Sequence, residues 1–198
     1  MLPFSEACER NKGPILEVLK SVFADRTHVL EIGSGTGQHA VHFAAHLRHL
    51  IWHPTERLTG LADLAVRIQA EGGPNLRVPT VLDVRQPVWP VARVDAVFTA
   101  NTLHIMSWPE VDVMFQRLGA TLVPSGILCI YGPFRYDGRY TSPSNGEFDR
   151  ALRERDPESG LREIGEVQAL ASGVGITLIA DHDLPANNRL LAFVKEPA

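Results

Sequence analysis

Glu31 sits in a short apolar run, Val29-Leu30-Glu31-Ile32, and three glycines follow at alternate positions, Gly33, Gly35 and Gly37, with Ser34 and Thr36 between them. A strand, a tight turn and a helix start in that order bring bare backbone N–H groups to the place where α/β proteins take up nucleotide-like ligands. The spacing selects among such ligands. A dinucleotide loop reads G-x-G-x-x-G, with its third glycine in the first helical turn. Here the third glycine comes one residue early, and Gln38 holds the dinucleotide position. Glu31 inside the motif would repel a pyrophosphate. A carboxylate at that point suits a ligand carrying a positive charge or donor groups, and S-adenosylmethionine, with its sulfonium and amino group, is such a ligand.

Other side chains offer chemistry further along. His104 follows Asn101-Thr102-Leu103; histidine titrates near neutral pH, which makes it a candidate base, with a loop-capping role as the alternative. Tyr131, Arg135, Tyr136, Arg139 and Asn145 cluster in a stretch longer than ordinary αβ connections, and such stretches are commonly functional. Residues 132–146 are therefore expected to form a substrate lid, with Arg135 or Arg139 holding an anionic group. The plain alternative is an exposed loop whose arginines face water. His39, His42 and His46 share a helical face that His49 extends. Ala40, Val41, Ala44, Ala45 and Leu47 supply the buried side, so the histidines are expected to face solvent. No carboxylate completes an H-E-x-x-H pattern, and no metal is expected. His39 alone, beside the glycine loop, is placed to approach a ligand.

The elements that must position these residues alternate. Apolar periodicity predicts a leading helix over 5–24, with Ile15, Leu16, Leu19, Val22 and Phe23 as its stripe. Strands are expected at 27–32, 49–52 (stopped by Pro54), 76–82, 94–99, 127–131, 175–182 and 189–195. Helices are expected at 38–48, 58–71, 109–122, 145–155 and 161–172. This alternation implies one α/β domain over 1–198, a Rossmann-like, seven-stranded, mainly parallel sheet with an antiparallel last strand and helices on both faces.

Composition sets outer bounds. The 198 residues are 44% hydrophobic and 21% charged, and the formal net charge is −4 with no run of Lys or Arg, which argues against nucleic acid as a partner. Cys8 and Cys129 match no metal or redox spacing, and a reduced, cytoplasmic setting is expected. The first residues, Met1 to Glu6, show no basic region before an apolar run, so no secretion signal is expected. No apolar stretch approaches membrane-spanning length, so no membrane partner is expected either. A small molecule is the expected partner, and oligomeric state is not legible.

Three further segments carry a resemblance: Glu9-Arg10-Asn11-Lys12-Gly13-Pro14-Ile15-Leu16, the loop from Tyr131 to Asn145, and Pro185-Ala186-Asn187-Asn188-Arg189. With the glycine loop and the architecture, they make the chain resemble class I S-adenosylmethionine-dependent methyltransferases over nearly its whole length. Among these it is similar to small methyltransferase-like proteins related to the methyltransferase-like 26 proteins of animals. The resemblance implies S-adenosylmethionine as cofactor, with the Gly33–Gly37 loop at its methionine end and Glu31 holding the amino group directly or through water. It also implies Glu56 on the ribose hydroxyls, Asp83 near the adenine amino group, and Asn101 flanking cofactor and substrate. For Glu56 the alternative is a polar helix-start region, and for Asp83 a solvated strand end. The segment after strand four lacks the Asn/Asp-Pro-Pro-aromatic signature of nucleic-acid amino methyltransferases and the Pro-Cys pair of cytosine methylases. It looks more like small-molecule methyltransferases. Residues 1–25 would lie over the cofactor, with Arg10, Asn11 and Lys12 closing on it, and Asn187-Asn188-Arg189 would form a turn. His104, Tyr131 and Arg135 are the expected catalytic residues. Methyl transfer rests mainly on positioning and needs a base only when the nucleophile arrives protonated. Two other readings stay open: a non-catalytic S-adenosylmethionine-binding protein, and a nicotinamide-dependent oxidoreductase, disfavoured by the glycine spacing and the acid.

Overall fold

Along each central strand, successive side chains point to opposite faces of the sheet, and this decides which helical layer each one joins. The computed structural model describes residues 2–197, so Met1 and Ala198, the ends of the expected domain, lie outside the described residues. In chain order the elements are α1 (Glu6–Val22), β1 (His28–Ile32), α2 (Gln38–His46), β2 (Ile51–Glu56), α3 (Leu61–Glu71), β3 (Thr80–Val81), β4 (Val94–Ala100) and α4 (Trp108–Thr121). They continue with β5 (Leu122–Gly132), β6 (Phe134–Tyr136), β7 (Arg139–Tyr140), α5 (Pro143–Arg155), β8 (Arg162–Glu163), α6 (Ile164–Ser172), β9 (Ile176–Leu184) and β10 (Asn188–Lys195).

Seven strands form one sheet in the order β3-β2-β1-β4-β5-β10-β9, with β10 antiparallel to both neighbours and the rest of the ladder parallel. The α/β fold class expected from the alternation is the one observed. Leu30, Ile32, Val97 and Leu128 pack with α4 and α6 residues such as Phe115, Leu118 and Val167 in one buried cluster. Val29, Phe98 and Cys129 pack on the other face with Ile15, Leu19, Phe43 and Trp52. Chain order reverses between β1 and β4. Their carboxyl ends therefore splay apart into a crevice, the place where open α/β sheets hold ligands.

Several expected boundaries are corrected. Pro54 does not end β2 but lies inside it, opposite Glu31. The Trp52 N–H and the Glu56 carbonyl both turn toward the β3 side, so Pro54, at the same parity, presents its missing N–H there. On that side pairing lapses between an isolated Trp52–Leu76 bridge and Thr80, so no ladder bond is lost. For the same reason the strand expected at 76–82 contracts to Thr80–Val81. The expected lid at 132–146 is also regular. It holds β6 and β7, which join β8 in a three-stranded sheet ordered β7-β6-β8, and the start of α5. β8 in turn takes the first residues of the helix expected from 161.

Candidate functional site

The glycine loop crosses the crevice with Gly33, Gly35 and Gly37 all at positive φ, 72°, 54° and 78°. At Gly33 a Cβ would stand 2.6 Å from the Thr102 methyl, so the loop packs directly on the segment after β4. At Gly35 nothing lies within 4 Å of that position, so the bare backbone faces open space. Ser34 ties the loop to β2: its N–H donates to the Thr55 carbonyl at 2.8 Å and its Oγ accepts from the Thr55 N–H at 3.2 Å. The Thr36 carbonyl accepts from Arg67 Nε at 2.7 Å, and the same guanidinium donates to the Pro3 carbonyl. Asn101, on the opposite bank, adopts φ 58° and donates its N–H to the Tyr131 carbonyl at 2.8 Å. Asn tolerates that left-handed conformation better than most other non-glycine residues.

Two cavities meet along Gly33, Gly35, Ala100 and Asn101. The smaller, about 270 Å³, lies over the ends of β2 and β3. Its charged lining is Glu56, Asp83 and Glu110 with Arg57. Glu56 accepts from the Gly35 N–H at 2.7 Å and from the Arg57 N–H at 2.8 Å, one on each oxygen. Each oxygen keeps a further lone pair for ligand donors. Asp83 is less free than expected. Arg85 grips both of its oxygens, at 2.9 and 2.6 Å, and this ion pair pulls its pKa down to about 2.

The larger cavity, about 550 Å³, lies between α1, the glycine loop, the end of β5, the start of α5 and the β9–β10 turn. His104 and Tyr131 both line it. The His104 ring meets Phe148 edge-on at 5.3 Å. Burial, reinforced by the charges of Arg162 and Arg155, pushes His104 down to about 4, so it is neutral at pH 7 rather than poised there as the sequence suggested. Burial raises Tyr131, and the neighbouring carboxamides of Asn11 and Asn188 partly offset that rise.

Three groups of residues stand elsewhere than the sequence placed them. Glu31 lines neither cavity. It lies on the face of β1 that carries Val29, beneath the loop, accepting from Trp52 Nε1 at 2.9 Å, and burial raises it to about 7. Arg135 also lines neither cavity. It belongs to the small sheet, where its Nε is 3.9 Å from Glu163 Oε2. Arg139, exposed on β7, is likewise outside. His39 does not face solvent: it is buried, stacked on Phe43 at 5.2 Å, and held near 4 by desolvation. The inward arc of α2 is set by Phe43, four residues on, and His39 shares that arc while His46 does not.

Cys8, Phe148 and Asn188 are cavity residues that site assignment from sequence left out, and Asn11, which the resemblance only brought over the cofactor, joins them on the lining. A signal exists for Asn11. It stands four residues before Ile15 and eight before Leu19, so the buried stripe of α1 runs straight into it. His39 Nε2 meets Asn11 Oδ1 at 2.6 Å; the amide oxygen can only accept, so that nitrogen carries the imidazole proton. The beginning of α1 is further latched by Gln38, which accepts from the Ser5 N–H at 2.6 Å and donates to the Ser5 carbonyl and to Glu9. The residue in the dinucleotide glycine's place thus seats a helix on the loop.

Solved methyltransferase structures share the fold that forms this crevice. An O-methyltransferase family protein from Burkholderia thailandensis superposes with a TM-score of 0.84 at 16% identity, over 98% of this chain and 58% of that one. Human N-acetylserotonin methyltransferase, in complex with SAM, gives 0.83 at 13% identity, over 96% of this chain and 53% of the other. The S-adenosylmethionine-dependent methyltransferase SibL, in its apo form, gives 0.80 at 19%, over 97% and 56%. The chain thus spans a little over half the length of these relatives, and identities this low establish the fold. The profile of DUF938, described as a protein of unknown function, matches residues 2–195, and the chain belongs to that family. Among the described residues, no helix is long and apolar enough to cross a membrane.

Proposed function

We propose that the chain is an S-adenosylmethionine-dependent methyltransferase acting on a small molecule, akin to the methyltransferase-like 26 proteins that its motifs resemble. The observation that carries this is the Gly35 N–H donating to Glu56. In a dinucleotide site that loop would offer its N–H groups to a pyrophosphate. Here a carboxylate holds one of them, in a cavity with three acids and one arginine. Such a lining repels phosphate and receives the hydroxyl and amino donors of an adenosine. The residues present fit the cofactor: Glu56 would take the ribose hydroxyls, the smaller cavity the adenine, and the open space over Gly35 the methionine end.

When bound, S-adenosylmethionine supplies a methyl group on a sulfonium, so an acceptor lone pair forms the new bond as the C–S bond breaks and leaves a thioether. Asn101, where the two cavities join, would line the place at which acceptor and cofactor meet. A proton on the nucleophile would pass to His104, which is neutral and faces the cavity, and from there to water. Held near 4, His104 is a weak base, so positioning supplies most of the acceleration. The same weakness favours the second reading, a cofactor-binding protein without turnover.

Calorimetry with S-adenosylmethionine and with NAD tests the first step. Binding of the former only is expected, and Gly35→Arg, which fills the open space, should abolish it. Binding of NAD in its place would overturn the assignment. Labelled-methyl transfer to a metabolite extract then separates enzyme from binder.

A further inference from the structure

The larger cavity differs from its neighbour in carrying almost no charge. Arg10 is the one ionised side chain on its lining; it stands at the rim, largely in water, 3.8 Å from Glu6. An exposed guanidinium so countered contributes little to holding an anion. The arginines that might have served one, Arg135 and Arg139, stand outside. An anionic group held in this cavity away from the cofactor's sulfonium would lose its hydration without a counter-charge from the protein, at a cost of several kcal/mol.

The lining instead offers carboxamides and hydroxyls from four elements. The Tyr131 hydroxyl, on the same wall as the carboxamides of Asn11 and Asn188, carries a hydrogen that it can give. Asn145 spends its amide hydrogens on Thr141 Oγ1 at 2.8 Å and the Asn187 carbonyl at 3.1 Å, so its Oδ1 is left to accept. Around these groups Phe148, Pro133 and Pro185 form flat apolar walls. A few fixed donors and acceptors set in an apolar cleft are the makings of a small-molecule site.

We propose that the acceptor is an uncharged, flat-bodied small molecule bearing both a hydrogen-bond donor, for Asn145, and a hydrogen-bond acceptor, for Tyr131. This rests on the methyltransferase reading and deepens it. The nucleophile arrives as a neutral lone pair: it forms the bond to the methyl carbon as the C–S pair returns to sulfur, and any proton it carried leaves afterwards.

The test uses a metabolite extract split on an anion exchanger at pH 7.5 into retained and flow-through fractions. Each fraction is incubated with the protein and methyl-labelled S-adenosylmethionine. Protein-dependent label should be at least tenfold greater in the flow-through. Tyr131→Phe should raise the KM for the flow-through acceptor about tenfold, with S-adenosylmethionine affinity by calorimetry kept within twofold. Greater label in the retained fraction would overturn the proposal and leave methyl transfer standing, as would an unchanged KM in that variant. No S-adenosylmethionine binding, or no label in either fraction, would remove the methyltransferase reading and this proposal together.

Discussion

Gly33 and Gly35 differ in what surrounds them, though both hold a left-handed backbone. Any L-residue there carries a strain of roughly 1–2 kcal/mol. At Gly33 an added methyl would also meet the Thr102 methyl at 2.6 Å. Thr102 cannot easily turn away, because its hydroxyl bonds Thr99 Oγ1 at 2.5 Å. At Gly35 the added methyl meets nothing. Gly33→Ala is therefore expected to destabilise the protein by about 1–3 kcal/mol more than Gly35→Ala, the usual cost of overpacking. Denaturant unfolding of the two variants checks this, and equal midpoints would show that Thr102 yields. These glycines were legible from sequence because the need for positive φ and the absence of a side chain are written in residue type itself. Glu31 was only half legible. Its place in the motif was plain, but its neighbour Trp52, which draws the carboxylate under the loop, comes from an adjacent strand whose register sequence spacing does not reveal.

Elements were readable where periodicity alone decides them and misread where a local device overrides it. Tyr136-Asp137-Gly138-Arg139 shows this. Asp137 and Gly138 both take positive φ, at 51° and 74°, in a two-residue turn between β6 and β7. Asp-Gly between strand formers is a strong hairpin signal that the length of the segment masked. Glu163 then caps that turn, accepting from the Asp137 and Gly138 N–H groups at 2.8 and 3.0 Å. Because Arg135 belongs to this sheet and not to the cavity, Arg135→Ala should leave kcat/KM for the acceptor unchanged within about twofold. A loss of tenfold or more would mean that the hairpin closes over the acceptor. α1 behaves differently. Its apolar face packs permanently, but its first two turns sit on the glycine loop through Gln38, Asn11 and Arg67. Gln38→Ala removes four hydrogen bonds, three of them to Ser5 and Glu9, at about 1 kcal/mol each before water replaces them. Amides over residues 6–12 should then exchange at least tenfold faster, while those near Leu19 keep their protection. Unchanged exchange over 6–12 would show that packing alone holds the helix start.

Across the whole chain, three buried ionisable groups around one crevice make stability depend on pH in opposing directions. His39 and His104 are both held near 4, against an ordinary 6.5. Between those values the unfolded chain binds a proton on each ring that the folded chain refuses, so stability rises with pH across that window. Glu31, raised from 4.5 to about 7, does the reverse. From pH 4.5 to 7 the folded protein keeps a proton that the unfolded chain has released, and stability falls as pH rises. Near pH 5.5 two imidazoles oppose one carboxyl, a net difference of about one proton, or roughly 1.4 kcal/mol per pH unit. Glu31→Gln retains an acceptor for Trp52 Nε1 but removes the opposing ionisation. Its unfolding free energy should therefore climb about twice as steeply between pH 5 and 6 as that of the parent chain, and it should exceed the parent's at pH 8, where the parent carries a buried carboxylate. Urea titrations at pH 5, 5.5, 6 and 8 measure both. A variant with the parent's slope would show that Glu31 is already ionised at pH 5, and the crevice would then hold a fixed negative charge beneath its glycine loop. With Glu31 neutral, a cationic ligand binding at that loop should expel the Glu31 proton. S-adenosylmethionine affinity would then rise between pH 6 and 8 in the parent and stay level in Glu31→Gln.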